Sequence, residues 1–439
     1  MIRLSESISP FLRKAWKPAL IVVLALLNCF ALWNFGLLAR DLIAGDRSAD
    51  ELLLKPIYRP LRVPVRPATQ LHQAVGRVGS DFAQVYFPAQ DVAHMENAFD
   101  AGKTLDPWKR PSRYAPFVIL ACAATLCRFD FGVACVLHIL LQLVLLYGLL
   151  YWSSRRLGVS EYFLPGVLFA NACLFLTPVG LSWFERGQFS LYLAAAYLLL
   201  VMGLLRKEPA WVAAAALLAF IKWTSFPPIF VILVIYLLST RDRNELKSHV
   251  LLVSVFGGVV LALLLLPALF VKGTDAFVRG LLVQELEDLP RGVSLLRYVP
   301  RLAVKLLPLG TILLGGLVAL TRRIDVDWLI PCAAGVVPIR LMYPTRAYEY
   351  GPPSVLGFLP LLAAWVVRSH QKELPLRLLL VIAFLLFIVI ASFSTRLLPS
   401  ILAVVQLYMA ISLACMLYPL LLALWTRADR GTMLEPASA

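Results

Sequence analysis

Few side chains in this chain can do chemistry, and they lie far apart in the sequence. In "GSDFAQVYFPAQ" the carboxylate of Asp81 stands two positions after Gly79 on a turn, and Tyr86 falls on the helical stretch that follows. Such a carboxylate can take a proton from a hydroxyl, or it can cap the helix it precedes. "AFIKWTSFPPIF" holds a lone lysine, Lys222, inside an apolar run. An ionisable group there costs about 2.5–3.5 kcal/mol on insertion scales unless partnered, so Lys222 either grips an anion or snorkels to the nearest interface. Late in the chain "YPTRAYEYGPPSVLGFLPLL" supplies Arg346, Tyr348 and Glu349. Arg346 is a second anion-binding candidate, and a salt bridge with Glu349 can replace or accompany that role. Gln188, next to Gly187 in "ERGQFSLYLAAAYLLL", can hydrogen-bond a ligand or backbone, or act as interhelical glue. Tyr86, Tyr114, Tyr348 and Tyr350 can stack on a sugar or belong to an interfacial aromatic belt. Glu185 and Arg186 read as a local pair at a helix end.

The elements that must hold these residues follow from composition. Of 439 residues, 60% are hydrophobic and 15% charged, with a mean hydropathy of +0.79. A soluble domain is nearer half apolar and a quarter charged, which excludes a soluble globular enzyme. The apolar residues come in long runs that do not alternate, so the expectation is an all-α, polytopic integral membrane protein with helices of about 20 residues rather than a barrel. The first run is Pro18 to Leu38, preceded by Arg3, Arg13, Lys14 and Lys17, which places the N-terminus in the cytoplasm. Residues 39–112 form a long polar stretch, read as an extracytoplasmic loop with structure of its own. Further runs occupy approximately 114–127, 131–152, 161–181, 189–205, 209–238, 249–270, 303–320, 328–343, 353–367, 375–392 and 397–425. That makes about 12 transmembrane helices in a single domain, with residues 426–439 as a cytoplasmic tail.

Topology has one open point. The basic connections are Arg155/Arg156, Arg206/Lys207, Arg241/Arg243/Lys247, Arg322/Arg323, Arg368/Lys372 and Arg427/Arg430. Simple alternation puts the first two outside, against the positive-inside tendency, unless a segment is re-entrant. The candidates are 114–127 and the run 209–238, interrupted at "KWTSFPP". The loop at 271–302 contains an amphipathic helix in "TDAFVRGLLVQELEDLPRG", and "KPIYRPLRVPVRP" at 55–67 reads as an extended arm that ties the loop or touches anionic headgroups. The net charge of +15 is assigned to helix ends, not to nucleic acid. The seven cysteines read as small core residues. No phosphate loop, nucleophile elbow or metal-ligand spacing is present, and Asp91 and Glu96 read as solvated helix charges.

Several separated pieces, taken in order, resemble the polyprenyl-phosphate-sugar-dependent glycosyltransferases of the GT-C superfamily, and most the bacterial family 87 membrane mannosyltransferases. Gly79, Asp81 and Tyr86 match a Gly-x-Asp-x-x-x-x-Tyr stretch of the first outside loop, Tyr114 and Pro116 a Tyr-x-Pro opening of the next helix. Gly187-Gln188 matches a Gly-Gln step ahead of a helix with a lone lysine, here Lys222, and "YPTRAYEYGPPS" a late tyrosine-rich segment. The chain departs from the pattern in placing Trp223, Thr224 and Ser225 between the lysine and Pro227-Pro228, and in offering Arg346 and Glu349 where a histidine is common. The resemblance implies Asp81 as general base in a single displacement with inversion. It implies Lys222 and Arg346 on the donor phosphate, and Tyr86, Tyr114, Gln188, Tyr348 and Glu349 around sugar and acceptor.

The expected reaction moves a sugar, mannose first, from a polyprenyl phosphate to a hydroxyl of a lipid-linked or cell-envelope glycan. The expected place is the cytoplasmic (inner) membrane, with the cleft facing the periplasm or cell exterior and membrane lipids as neighbours. No organic cofactor is expected; a divalent metal bridging Asp81 and phosphate stays open. The rival is a lipid or polysaccharide transporter, for which related halves with matching broken helices would be the sign, and none is found.

Overall fold

The computed structural model describes residues 10–44, 79–94, 97–100, 106, 112, 114–222, 226–239, 243–278, 291–292, 310–315, 317, 328–342, 346–347, 352–393 and 401–422. These residues are helical almost throughout. In chain order the helices used below are α1 (Pro10–Ala44), α2 (Ala83–Ala93), α3 (Pro116–Ala124), α4 (Phe131–Leu157), α5 (Phe163–Phe175), α6 (Pro178–Arg186) and α7 (Ser190–Arg206). There follow α8 (Pro209–Phe220), α9 (Phe226–Leu238), α10 (Arg243–Leu265), α11 (Leu329–Met342), α12 (Leu359–Val367), α13 (Leu374–Ser392) and α14 (Ile401–Met416). One two-residue parallel pairing joins β1 (Arg291–Gly292) to β2 (Arg346–Ala347).

Among the described residues, four helical stretches are long and apolar enough to cross a membrane: Pro18–Ala44, Phe131–Leu157, Asn244–Leu269 and Leu374–Ser392. A fifth is formed if Ser160–Phe175 and Pro178–Arg186, bent by 75°, count as one span. These helices carry their large apolar side chains outward. Leu26, Leu32 and Trp33 on α1, Leu251 and Leu261 on α10, and Leu379 and Leu386 on α13 are all exposed. Water does not tolerate apolar belts of that extent, whereas hydrocarbon does. Inside this ring α7 is buried on every side from Ser190 to Leu204, and its Tyr197 stacks on Phe358 at a centroid distance of 6.2 Å.

Contacts give each helix a direction. Asn28 donates to the Leu168 carbonyl and Asn34 to that of Phe175, both at 2.9 Å, so α1 and α5 run the same way. The last turn of α1 meets the first of α4, where Gly132 lies against the Leu42 carbonyl. At the far end of α4 the Arg156 carbonyl accepts from Arg206 at 2.5 Å, and that of Leu157 accepts from Arg368 at 3.3 Å. Lys207 pairs there with Glu245 at 3.7 Å. Arg155/Arg156, Arg206/Lys207 and Arg368 therefore share one end of the bundle, opposite the end where α1 finishes and α4 begins.

Of the two suspected re-entrant segments, 114–127 turns back, whereas 209–238 is two helices, each running between the basic end and the end that holds Gln188. Helix α3 has nine residues, about 13.5 Å at 1.5 Å per residue, too short to cross. Its approach is fixed by Tyr114 against Phe189 and its exit by the Cys127 thiol on the Tyr86 carbonyl at 3.4 Å. Both anchors lie at the end where α4 starts. Helix α8 leaves the basic end at Pro209 and reaches Lys222, whose ammonium donates to Gln188 at 3.0 Å. Helix α9 then returns, and the Tyr236 hydroxyl bonds to the Leu204 carbonyl at 3.1 Å.

Several boundaries differ from the sequence reading. The first helix continues six residues beyond Leu38 to Ala44, so the polar stretch begins later than residue 39. The run 161–181 is two helices broken at Leu176–Thr177, because Pro178 forces its predecessor out of the helical region (Thr177 ψ 149°). Asp91 is buried, not solvated. Cys29 is exposed and Cys127 half-buried, while the other five cysteines are buried. The arm at 55–67, Glu96, most of the amphipathic segment 277–289 and the tail 426–439 lie outside the described residues.

Candidate active site

The site is built where two left-handed glycines let distant turns meet. Helix α6 starts on Thr177, whose hydroxyl caps Gly180 N–H at 3.1 Å, with Pro178 at the first helical position. It stops at Gly187, φ +63°, whose N–H returns to Phe184 at 2.9 Å while that of Gln188 returns to Trp183 at 3.0 Å. The carbonyls of Glu185 and Arg186, orphaned by that stop, accept from Gly79 N–H at 2.7 Å and from Asp81 N–H at 2.8 Å. Gly79 is left-handed too, at φ +75°. A methyl group at Gly187 would come within 2.8 Å of Phe82 Cβ, and one at Gly79 within 2.7 Å of the Phe131 ring. The Gly79-x-Asp81 and Gly187-Gln188 motifs, about a hundred residues apart, are thus one structural unit.

On this unit the side chains converge. Arg186 grips Asp81 with a two-pronged bond, Nε to Oδ2 at 2.7 Å and Nη2 to Oδ1 at 3.1 Å. The Gln188 amide also donates to Oδ2, and Gln84 to Oδ1 at 3.5 Å. The Gln188 carbonyl oxygen in turn accepts from Lys222 Nζ at 3.0 Å, so the amide relays between an ammonium and a carboxylate. Within this string of contacts there are two cations and one anion, all at least half removed from solvent.

A further layer fixes Gln188. Gln142 on α4 donates to the Gln188 main-chain carbonyl at 2.8 Å, contacts His138 at 3.0 Å, and accepts from Leu191 N–H at 3.3 Å. The His138 ring sits between Phe82 and Phe189, at centroid distances of 4.8 and 4.3 Å. Neither His138 nor Gln142 stood out in the sequence. Their spacing of four inside an apolar helix puts two polar groups on one buried face, a signal that could have found them.

Of the expected site residues, Asp81, Gln188 and Lys222 come together. Asp81 does not cap α2; its N-cap position is Phe82, without a side-chain bond. Lys222 does not snorkel to the basic end but turns to the site. Tyr86 stands one turn beyond, its hydroxyl bonded to the Phe129 carbonyl at 2.7 Å and its ring packed on Phe131 and Phe87. Burial, aided by Cys127, Cys122 and Asp130, holds its phenol above the ordinary value, so it stays a neutral donor. Tyr114 packs on Phe189 at 4.4 Å, on the rim of the same cluster. Arg346 is placed by its backbone, in register with Arg291. Tyr348 and Glu349 lie outside the described residues. The residue the sequence reading misplaced is Arg186, read as a partner of its neighbour Glu185 and found on Asp81. Among the described residues no group of three or more His, Cys, Asp or Glu is arranged to hold a metal ion. Neither a family model, a curated protein nor a solved structure matches this chain.

Proposed function

We propose that the chain is an inverting glycosyltransferase that moves a sugar, mannose first, from a polyprenyl phosphate to a hydroxyl of a lipid-linked or envelope glycan. The observation that carries this reading is the union of Asp81, Gln188 and Lys222 with Arg186 in one buried cluster. Asp81 is the general base, and Lys222 and Arg186 face the leaving phosphate. One carboxylate suffices for direct displacement; retention would need a second as nucleophile. Arg346, Tyr348 and Glu349, with Tyr86 and Tyr114, keep their proposed places around phosphate, sugar and acceptor. No organic cofactor is invoked.

The membrane assignment extends the same reading. The basic ends of α4, α7 and α12 share one side, which the positive-inside tendency makes cytoplasmic. The cluster then opens toward the periplasm or cell exterior of an inner-type membrane. With α3 turning back, and α8 and α9 running between the same two ends as α7, the connections at Arg155/Arg156 and Arg206/Lys207 both fall on the cytoplasmic side.

The test offers purified protein in nanodiscs radiolabelled polyprenyl-phosphate mannose with total envelope lipids. Label in a new glycolipid supports the transferase. Label or lipid crossing a sealed bilayer unchanged, with no new product, replaces it with the carrier.

A further inference from the structure

The bonding around Asp81 poses a difficulty for a base. A carboxylate offers about four lone-pair sites; Arg186 takes one on each oxygen and Gln188 a third, with Gln84 at 3.5 Å from the fourth. With Arg186 on both oxygens, an acceptor hydroxyl meets Asp81 as a base only when that fork lets go. Gln188 is held from two sides, by Lys222 on its side chain and Gln142 on its main chain. Arg186 is the more accessible partner of the ion pair, its side chain 19% exposed against 9% for Asp81. Its planar fork fits a phosphate as well as a carboxylate.

We propose that the Arg186–Asp81 ion pair is a latch opened by the donor: the lipid-linked phosphate takes the Arg186 guanidinium, and only then is Asp81 free to receive the acceptor hydroxyl. The inference rests on the transferase reading in that the anion is a polyprenyl phosphate. In the step itself the acceptor oxygen bonds to the anomeric carbon and its proton passes to an Asp81 oxygen. The bond from that carbon to the phosphate oxygen breaks with both electrons on phosphate. The leaving phosphate gains charge as it departs, so Arg186 holds it more tightly in the transition state than in the bound donor. Release of the lipid phosphate returns Arg186 to Asp81. Donor must therefore bind before acceptor, and a cleft without donor carries no free base.

The latch makes carboxylate and phosphate rivals for one guanidinium, which gives binding effects of opposite sign. The probe is polyprenyl phosphate without sugar, titrated into the full chain in nanodiscs. Arg186→Gln weakens binding about 10–100-fold, the equivalent of one or two charge-assisted bonds, and Arg186→Lys recovers part of it. Asp81→Asn tightens binding about tenfold by removing the rival, and that gain disappears on the Arg186→Gln background. If Asp81→Asn leaves affinity unchanged or lowers it, Arg186 is only a brace for Asp81 and the latch is wrong. Folding of each variant is checked by its unfolding temperature, and the Asp81→Asn arm stands even if Arg186→Gln fails to fold. Sugar transfer measured beside binding separates the two readings. Transfer without the Asp81→Asn gain overturns the latch and leaves the transferase. The gain without transfer keeps the rivalry of carboxylate and phosphate for Arg186 and removes the transferase, and with it the part of Asp81 as base.

Discussion

Asp81 combines two properties that usually exclude each other, full hydrogen bonding and a proposed role as base. The first is visible in the Arg186, Gln188 and Gln84 contacts, and the second requires one of them to yield. Lys222 meets Asp81 only through the Gln188 amide, and its proposed part is to face the leaving phosphate. Replacing Lys222 by Met keeps the stem and removes the charge; the donor KM rises about tenfold in steady-state transfer assays, with kcat changed less. Gln188→Glu places a second carboxylate against Asp81, and transfer falls by at least about tenfold in the same assay, because like charges at that separation cannot both ionise. In the sequence Asp81 and Lys222 are polar residues in unusual settings, whereas Gln188 is singled out only by the family resemblance. Arg186 is not singled out, because Glu185 beside it offers a sufficient local explanation, and sequence does not show that the end of α6 faces the turn at Gly79.

Helix ends, more than helix middles, place the chemistry. The stop of α6 at Gly187 leaves two carbonyls that the Gly79–Phe82 turn satisfies, and a substituent at either glycine collides with aromatic neighbours. Gly187→Ala is therefore strained in conformation and in space, and lowers stability by about 1–3 kcal/mol. Gly36, on α1, gives the contrast, since a methyl group added there would meet nothing within 4 Å. Gly36→Ala leaves the unfolding temperature unchanged or raised, because alanine exceeds glycine in helix propensity by about 1 kcal/mol. Unfolding followed by a thiol-reactive or intrinsic fluorescence signal in detergent distinguishes the pair. The long apolar helices were readable from hydropathy alone. The break in 161–181 was not, although Pro178 is plain in the sequence, because proline also begins helices and hydropathy runs through both arms.

For the molecule as a whole, hydropathy fixes which segments are apolar but not which way each runs or whether it crosses. Side-chain bonds at helix ends supply that: Arg206 to Arg156, Arg368 to Leu157, and Lys222 to Gln188. They bring the basic connections to one side and carry α8 from that side to the level of Gln188. In a background without native cysteines, Thr125→Cys is labelled from outside intact cells by an impermeant maleimide and Lys372→Cys only after permeabilisation. Protection of Thr125→Cys in intact cells means that α3 crosses and the topology is wrong. The most direct test of the central claim, the proposed sugar transfer, is the anomeric configuration of the sugar in the product made by the wild-type protein, with Asp81→Asn measured alongside. Inversion is expected, with Asp81→Asn binding donor and losing about 10²–10⁴-fold in turnover. Retention of configuration, or undiminished turnover by Asp81→Asn, contradicts it.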